Sequence, residues 1–265
     1  MHKRIIRKNK PLILVTNDDG ITAPGLRALI DVMNEIGDVI VVAPDSPQSA
    51  MGHAITVNST LYCSPITISE QDIQLEYSCS GTPADCVKLA VNEILNRPPD
   101  ICISGINHGS NSSINVIYSG TMSAAVEAGI EGIPAIGFSL CDYSWEADFE
   151  AVKPYVKTIT QNALKNGIPK GVVLNVNFPK LKKDQIKGIK ICRQAKARWV
   201  ESFDKRTNPM GRDYYWLAGK FVNQDKGEDT DEWALEHGYV SVVPVQFDLT
   251  AHHTIQDLNT WDLND

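Results

Sequence analysis

Short runs of consecutive apolar residues alternate with segments of helical periodicity along most of the chain. Leu12–Thr16 and residues 38–43 are apolar and rich in β-branched side chains, a pattern typical of strands covered on both faces. Between them, apolar residues recur at three- and four-residue spacing from Pro24, which favours a first helical turn, to Gly37, which favours a helix end. This alternation continues to about Pro179. Buried strands that alternate with helices predict a parallel sheet with right-handed crossovers.

The remaining elements of this region follow from the same signals. The patterns of residues 54–61 and 73–79 predict two strands, which are candidates for a hairpin. Thr82 as a capping hydroxyl, Pro83 in the first turn and Asp85 three residues after the cap predict the start of another helix. The other predicted strands are residues 101–104, 135–139 and 172–178, and the other predicted helices are residues 121–129 and 145–166.

After Lys180 the regular helical alternation ends. Residues 186–192, 214–217 and 239–243 resemble β-structure, and an acidic loop, QDKGEDTDE, lies between them. The final DLTAHHTIQDL segment reads as a terminal arm or helix. The sequence therefore predicts an α/β core over residues 1–180 and a β-rich extension with a C-terminal arm over residues 181–265, in one structural unit.

Composition and charge narrow the class of protein. Apolar residues make up 43% and charged residues 22% of the chain, an ordinary globular balance. The net charge of −7 argues against a partner such as a nucleic-acid polymer, but a bound metal ion can still attract a small phosphorylated substrate. The six cysteines form no CxxC pair and indicate buried thiols in a reducing compartment, the cytoplasm. The basic start is followed by only a short apolar run, PLILV, which predicts neither a signal peptide nor a membrane span.

The strongest local motif is Asn17-Asp18-Asp19-Gly20, directly after the first predicted strand. In open α/β sheets, ligands bind beyond the carboxyl ends of the strands. Adjacent side chains in a continuing strand point to opposite faces, so the chain must turn at Gly20 if Asp18 and Asp19 are to serve one ion. Two carboxylates this close repel each other unless a proton or a cation intervenes, and a hard divalent cation fits. The alternative is an acidic turn that only caps a helix.

Two later loops carry polar groups that suit the same chemistry. In SGINHGSN, Asn107 offers a carbonyl oxygen suited to Mg²⁺ or Mn²⁺, and Asn111 offers an amide donor for a phosphate. In YSGTMSAA, the residues Ser119, Gly120 and Thr121 open a helix whose free N–H groups and hydroxyls suit an anion. The alternatives are a polar connecting loop for the first and ordinary helix capping for the second.

A fourth loop, APDSPQSAMGHAIT, follows the second strand. Ser49 has no special meaning by itself, and His53 is more often a structural histidine than a ligand. Together the four loops would gather oxygen ligands and phosphate donors at one edge of the sheet.

The segments LVTNDDG, APDSPQSAMGHAIT, CSGTPADCV, SGINHGSN and YSGTMSAAVEAG follow one another along the chain. Together they resemble the signature segments of the SurE family, survival proteins with 5′/3′-nucleotidase activity. The resemblance resumes more loosely at GRDYYWLAG, YVSVVPV and DLTAH, so it covers essentially the whole chain. It implies an α/β fold: a Rossmann-like, mostly parallel sheet with helices on both faces, plus a β-rich C-terminal extension used in dimerisation or tetramerisation.

By motif position, the resemblance also implies roles for individual residues. The implied ligands of one divalent metal ion per subunit, Mg²⁺ or Mn²⁺, are Asp18, Asp19, Ser49 and Asn107. The implied phosphate-binding residues are Asn111, Ser119, Gly120 and Thr121. Asp248 and His252 match residues of the swapped C-terminal arm and are expected to be structural. One departure is DTDEWA at residues 229–234, where relatives have an aromatic residue and a histidine after GTD, so the substrate-side role of this loop is left open.

The sequence thus predicts a cytoplasmic phosphomonoesterase, a 5′-nucleotidase that hydrolyses nucleoside 5′-monophosphates, forms a homodimer or homotetramer, and binds neither nucleic-acid polymers nor membranes. The 3′-monophosphates and short polyphosphate are further candidate substrates. Asp18 and Asp19 are the predicted catalytic residues, and whether either acts as a base or as a nucleophile is open. The residues Tyr214, Tyr215 and Trp216 offer a stacking surface for a base, although packing in the core is the commoner use of such residues.

Three alternative hypotheses compete with the prediction of a 5′-nucleotidase. Aspartyl-phosphate phosphatases usually offer a DxD motif after the first strand, whereas the acids here are adjacent. A serine hydrolase is disfavoured because no GxSxG elbow occurs. A non-catalytic nucleotide-binding sensor or scaffold on the same fold is the alternative from another class, because fold alone does not fix function.

Overall fold

The structure of the chain is a computed structural model and describes residues 10–70 and 73–263. The basic start discussed above lies almost entirely outside these residues. The strands are β1 (Leu12–Thr16), β2 (Asp38–Pro44), β3 (Cys63–Ile66), β4 (Leu75–Cys79), β5 (Ile101–His108), β6 (Ala135–Leu140), β7 (Val172–Phe178), β8 (Ile189–Ile191), β9 (Ala197–Thr207), β10 (Asp213–Asn223) and β11 (Val240–Gln246). The α-helices are α1 (Pro24–Ile36), α2 (Pro83–Leu89), α3 (Gly120–Ile130), α4 (Lys153–Asn166), α5 (Asp231–Glu236) and α6 (Ile255–Leu258). A π-helical turn, Ala90–Ile94, extends α2, and short 3₁₀ helices cover Ser113–Ile117, Lys183–Gln185 and His252–Thr254.

Nine strands form one central sheet in the order β3-β4-β2-β1-β5-β6-β7-β11-β8. The six strands from β4 to β7 in this order run parallel, whereas β3 is antiparallel to β4 and β11 is antiparallel to β7. Strand β1 lies between β2 and β5, so the chain builds the sheet outward in one direction and then returns to build it in the other. This reversal creates a crevice at the carboxyl ends of β1 and β5, the usual ligand site of such sheets.

Both faces of the sheet are covered by helices. Along β1, Ile13 and Val15 belong to a core shared with α1 and α4, while Leu12 and Leu14 belong to a core shared with α2 and α3. The strand is therefore fully buried, as its unbroken apolar sequence predicts, because successive side chains point to opposite faces. The predicted α/β fold with a mostly parallel sheet and helices on both faces is confirmed.

The part of the chain after Lys180 is divided between two sheets. Strands β11 and β8 extend the central sheet beyond β7. Strands β9 and β10 form a separate antiparallel hairpin, paired from Ala197 with Asn223 to Thr207 with Asp213. Tyr214, Tyr215 and Trp216 lie on this hairpin and are exposed, so the prediction that they pack in the core is wrong.

The structure corrects two predicted elements. No strand forms at residues 54–61; the hairpin partner of β4 is β3, at Cys63–Ile66. The reason is local, because Thr56 binds the Asp85 carboxylate through its N–H and its hydroxyl, and the Thr82 hydroxyl donates to the Ala54 carbonyl. The helix predicted over residues 145–166 begins only at Lys153.

Within the described residues, no helix has both the length and the apolar character needed to cross a membrane.

Candidate active site

The paired acids lie in the crevice between β1 and β5. Directly after β1 the chain turns at Gly20, whose φ of 103° is a conformation that favours glycine. The Asn17 amide donates to the Gly20 carbonyl at 2.9 Å and stabilises this turn. The turn allows Asp18 to face α3 while Asp19 faces the end of β5, as the next contacts show.

Asp18 is almost completely buried, with 4% of its surface exposed. Its Oδ1 accepts a hydrogen bond from the Thr121 hydroxyl at 2.5 Å, and the Thr121 N–H also donates to this carboxylate. Burial, together with the neighbouring charge of Asp19, raises the pKa of Asp18 to about 6, although the hydrogen bonds from Thr121 oppose this rise. Among the described residues no lysine or arginine forms an ion pair with Asp18, so the protein itself leaves this charge uncompensated.

Asp19 is held by a histidine that the sequence did not single out. The Oδ2 of Asp19 accepts from the His108 backbone N–H at 3.1 Å and lies 3.0 Å from the ring Nδ1 of the same residue. The ring of His108 stacks on Trp145 and meets the edge of Phe149. Since Asp19 and His108 are 89 residues apart, the only signal in the sequence was the position of His108 beside Asn107.

The loop after β2 lies against the acids. The Gln48 N–H donates to the Asp18 carbonyl at 2.7 Å, which places the next residue, Ser49, at the mouth of the crevice. Ala50 follows with a φ of 59°, an unusual conformation for a residue with a side chain and one that recurs at functional sites. A cleft of about 210 Å³ is lined by Asp18, Ser49 and Asn107 together.

Asn107 lies at the end of β5, whereas the sequence predicted that it lies in a loop after the strand. The pairing of β5 with β6 shifts register between Ser104 and Asn107, an irregularity of the kind that re-aims side chains near active sites. The Asn107 Nδ2 donates to the Gly109 carbonyl at 2.8 Å. The amide nitrogen is thereby committed to the backbone, which leaves the carbonyl oxygen as the atom suited to bind a cation.

Of the predicted phosphate-binding residues, Ser119 and Asn111 line the same cleft, and Gly120 and Thr121 follow Ser119 at the start of α3. Ser119 caps α3 by accepting from the Met122 N–H at 3.0 Å, and it lines the cleft. Gly120 brings the helix start close to Asp18, because a Cβ at this position would lie 2.7 Å from the Asp18 Cβ. The hydroxyl and N–H of Thr121 both donate to the Asp18 carboxylate. The start of α3 therefore combines the positive end of a helix with direct support for one acid.

Asn111 is built into a buried polar network behind the cleft. Its Nδ2 donates to the Ser139 hydroxyl at 2.8 Å, and its backbone N–H donates to the Asn177 Oδ1 at 2.8 Å. The Asn175 amide in turn donates to the Asn111 carbonyl and accepts from Asn177. Asn111 lines the cleft, and this network fixes the position of its side chain.

The departure in the 229–234 segment has a structural role. Asp231 is buried and accepts from the backbone N–H groups of Ser113 at 2.7 Å and Ala195 at 2.9 Å. Glu232 accepts from the hydroxyl of Ser112. Asp231 therefore links the loop that follows Asn111 to Ala195, just before the β9–β10 hairpin, and Glu232 ties the same loop to α5.

Two other residues considered from the sequence lie outside the cleft. The Nε2 of His53 is 2.7 Å from Glu127 on α3, a contact that ties the loop after β2 to the helix. His252 pairs with Asp248 at 3.0 Å one helical turn apart, and both side chains are exposed.

The residues present fit a hard divalent cation. In the described part of the chain no three His, Cys, Asp or Glu side chains converge on a metal position, but the predicted set needs only two carboxylates beside hydroxyl and amide oxygens. Asp18 and Asp19 each use one carboxylate oxygen in the contacts above and keep the other. The raised pKa of Asp18, with no protein cation beside it, is the expected state of a buried ligand before its ion binds. An all-oxygen set suits Mg²⁺ or Mn²⁺.

A second, mostly apolar cavity adjoins the cleft. Its volume is about 390 Å³, and its wall includes Tyr118, Trp199 and Leu217. Tyr118 and Trp199 also line the cleft, so the two spaces share a wall. The Trp199 ring is fixed by a hydrogen bond from its Nε1 to the Asn115 Oδ1 at 2.8 Å. The β9–β10 hairpin thus supplies one wall of the space next to the acids.

Comparison with known proteins finds relatives that match nearly the whole chain. A protein of Christiangramia forsetii named 5′-nucleotidase SurE is 75% identical over 260 residues, which cover 98% of this chain and 100% of that protein. A 5′-nucleotidase SurE of Cytophaga hutchinsonii is 62% identical over 252 residues, covering 95% of this chain and 96% of that protein. The crystal structure of the SurE protein from Aquifex aeolicus superimposes with a TM-score of 0.81 at 39% identity, covering 94% of this chain and 98% of that one. Residues 13–201 match the family described as Survival protein SurE, and the chain belongs to this family.

Proposed function

We propose that this protein is a divalent-metal-dependent 5′-nucleotidase that hydrolyses nucleoside monophosphates to nucleoside and phosphate. The observation that carries the proposal is the cleft lined by Asp18, Ser49 and Asn107 at the start of α3, with Asp19 held against His108 at the end of β5. The names of the relatives described above support the same reaction. The same site is proposed to bind Mg²⁺ or Mn²⁺, one ion per subunit.

Each part of the site has a defined task in this reaction. A divalent ion held by Asp18, Asp19, Ser49 and Asn107 would supply positive charge that offsets the phosphate charge and activates water. Thr121 keeps Asp18 oriented, and His108 keeps Asp19 oriented through two donors on one oxygen. These contacts fix both carboxylates before substrate arrives, so little reorganisation is needed during the reaction.

The start of α3 is proposed to hold the phosphate. A helix N-terminus presents unpaired backbone N–H groups and a partial positive charge to an anion. Ser119 and Gly120 lie at this start, next to Asp18. Asn111 approaches the same cleft from the end of β5. Stabilising charge on the phosphate oxygens there lowers the barrier to displacement of the nucleoside.

The adjoining cavity supports a nucleotide as substrate over phosphate alone. Ligand pockets are mostly apolar with a few polar groups at one end, which describes the combined cleft and cavity. We place the base or ribose against Trp199 and Tyr118, with the phosphate at α3. Nucleoside 3′-monophosphates and short polyphosphate remain further candidate substrates of the same centre.

Phosphate release from AMP, GMP and polyphosphate, with and without EDTA and added Mn²⁺, tests the proposal. We expect release from the monophosphates to stop in EDTA and to return with Mn²⁺. Asp19→Asn removes the charge from one ligand and should abolish most activity with the fold intact. Asp31→Asn makes the same change at an exposed site on α1 and should leave activity unchanged.

Other outcomes of this experiment distinguish the alternatives. Nucleotide binding without phosphate release would favour a sensor or scaffold. Turnover that persists in EDTA, with a phosphorylated aspartate trapped by acid quench, would favour the aspartyl-phosphate class. Wild-type turnover in Asp19→Asn would refute the metal role of that residue.

We also propose that the protein acts in the cytoplasm as a homodimer or homotetramer. The β9–β10 hairpin exposes Phe203, Trp216 and Leu217, an apolar surface of the kind that binds another protein. The six cysteines are free thiols, which suits a reducing compartment. Light scattering on the purified protein tests the assembly, and a monomer at micromolar concentration would contradict it.

A further inference from the structure

Three cysteines that play no part in the proposed reaction meet at one edge of the central sheet. Cys63 lies on the edge strand β3, Cys79 lies opposite it on β4, and Cys86 lies on α2 beneath them. The thiols of Cys63 and Cys86 lie near enough to the Cys79 thiol to affect its pKa.

The register of β3 and β4 places Cys63 and Cys79 in the closest kind of cross-strand pair. The two residues are direct partners in an antiparallel ladder. The next pair, Tyr62 and Ser80, is hydrogen-bonded, because the Ser80 N–H donates to the Tyr62 carbonyl at 2.8 Å. Hydrogen-bonded and non-hydrogen-bonded pairs alternate in such ladders, so Cys63 and Cys79 form a non-hydrogen-bonded pair. Pro65, which has no N–H, occupies the next position of the same kind.

This geometry suits a disulfide without movement of the backbone. The Cα atoms of a non-hydrogen-bonded pair lie about 4.5 Å apart, and their side chains approach each other closely. Disulfides bridge Cα separations of about 4.4–6.8 Å. Cys86 approaches from a helix instead, and no ladder fixes its distance from Cys63.

The chemistry of the pair differs from that of the other cysteines. Hydrogen bonding from Cys86 lowers the pKa of the Cys79 thiol to about 7 against the opposing effect of burial, and the Gly81 N–H and Cys63 assist. By contrast, burial raises the pKa of Cys102 to about 12. Cys63 is partly exposed on the edge strand, although burial raises its pKa to about 11.

We propose that Cys63 and Cys79 form a reversible disulfide, a redox modification site separate from the phosphatase centre. The oxidant is a small-molecule disulfide such as oxidised glutathione. The exposed Cys63 sulfur, as its thiolate, attacks one sulfur of the oxidant, forming a mixed disulfide and releasing one small thiolate. The Cys79 thiolate then attacks the Cys63 sulfur and releases the second small thiolate. The two protons lost by the cysteines end on the released thiols, so two protein thiols and one small disulfide give one protein disulfide and two small thiols.

The disulfide would lock the edge of the sheet. Strand β3 covers β4 through only four residue pairs. The Cys79 carbonyl also accepts from the Asp45 N–H at 2.7 Å, at the start of the loop that carries Ser49. Fixing Cys79 therefore restrains both the edge strand and the first residue of that loop.

Thiol counting and peptide mapping test this proposal without reference to catalysis. The reduced full-length protein is equilibrated with oxidised glutathione, denatured, alkylated and digested. We expect two of the six thiols to be lost and one cross-linked peptide pair to join Cys63 to Cys79. Six remaining thiols would overturn the proposal. A bridge between Cys79 and Cys86, or a glutathione adduct that stays on Cys63, would equally overturn it.

Matched serine variants locate the bridge. Cys63→Ser changes a partly exposed position and should abolish disulfide formation with an unchanged circular-dichroism spectrum. Cys86→Ser should retain it. Cys192→Ser, outside the cluster, is the control and should also retain it. Loss of the bridge in the Cys192 variant, or its persistence in the Cys63 variant, would contradict the assignment.

Discussion

Gly120 is the position where a single methyl group tests the geometry of the site most sharply. A Cβ at this residue would lie 2.7 Å from the Asp18 Cβ and 2.8 Å from its Oδ2. Carbon atoms in contact normally lie about 3.5–4.0 Å apart, so Gly120→Ala must move Asp18 or the start of α3 by about 1 Å. Asp18 is buried and held by the Thr121 hydroxyl, so its side chain cannot shift without disturbing that hydrogen bond.

The expected loss follows from this displacement. A shift of about 1 Å in a positioned group costs on the order of 10²-fold in rate, so kcat/KM for AMP should fall about 100-fold. Changes to groups that orient metal ligands typically cost about 10–100-fold in metal affinity, and we expect a Mn²⁺ titration to show a loss of that size. The close approach is limited to the contact between Gly120 and Asp18, so the fold should persist.

Gly129→Ala on the same helix is the control. Its Cβ would meet Val173 and Phe247 at 2.7 and 2.9 Å, far from the acids, so it should lower the melting temperature and leave Mn²⁺ affinity unchanged. Phosphate release, a Mn²⁺ titration and a circular-dichroism melt are measured on both variants. Wild-type activity and affinity in Gly120→Ala would refute the placement of Asp18 against the helix start.

Two further predictions follow from groups around the acids. His108→Ala removes the ring donor from Asp19 but keeps the backbone donor, so kcat should fall about 10–100-fold. His108→Gln should recover part of this loss. An unchanged steady-state kcat in His108→Ala would contradict the positioning role of His108. Burial alone would raise the pKa of Glu127, but hydrogen bonds from His53 and Lys88 outweigh burial and lower this pKa. The ionised Glu127 therefore stabilises the fold at neutral pH, and this stabilisation is lost as the pH falls through the lowered pKa. Glu127→Gln should therefore reduce the melting temperature at pH 7, with a gap that closes on acidification; a gap constant with pH would exclude this role.

Local signals in the sequence located the elements that short-range interactions determine. The apolar run of β1 requires cover on both faces wherever it lies, and both faces are covered. The Thr82 and Asp85 side chains form the predicted capping box at the start of α2, because both partners lie within one turn of the chain. The turn at Gly20 was predictable for the same reason.

The errors arose where distant or competing contacts decide the structure. Residues 54–61 contain β-branched side chains, but the backbone there binds the α2 cap instead of a neighbouring strand. Before α4, the side chains of Ser144 and Asp148 accept from backbone N–H groups two residues on and hold turns in place of a helix. The pairing of His108 with Asp19 joins residues 89 positions apart, and nothing in one sequence reports such a contact.

The phosphate-site predictions illustrate the same limit. Sequence placed Thr121 at a helix start, and that placement is correct. Its hydroxyl and N–H nevertheless donate to Asp18. This contact depends on the approach of β1 to α3, which the local sequence does not report. Whether this residue also contacts phosphate stays a prediction.

Anomalous diffraction from a crystal soaked in Mn²⁺ tests the central claim most directly. The account predicts a single strong peak in the β1/β5 crevice, contacted by oxygen atoms of Asp18, Asp19, Ser49 and Asn107. A peak elsewhere, or an ion from which both aspartates are turned away, would contradict it.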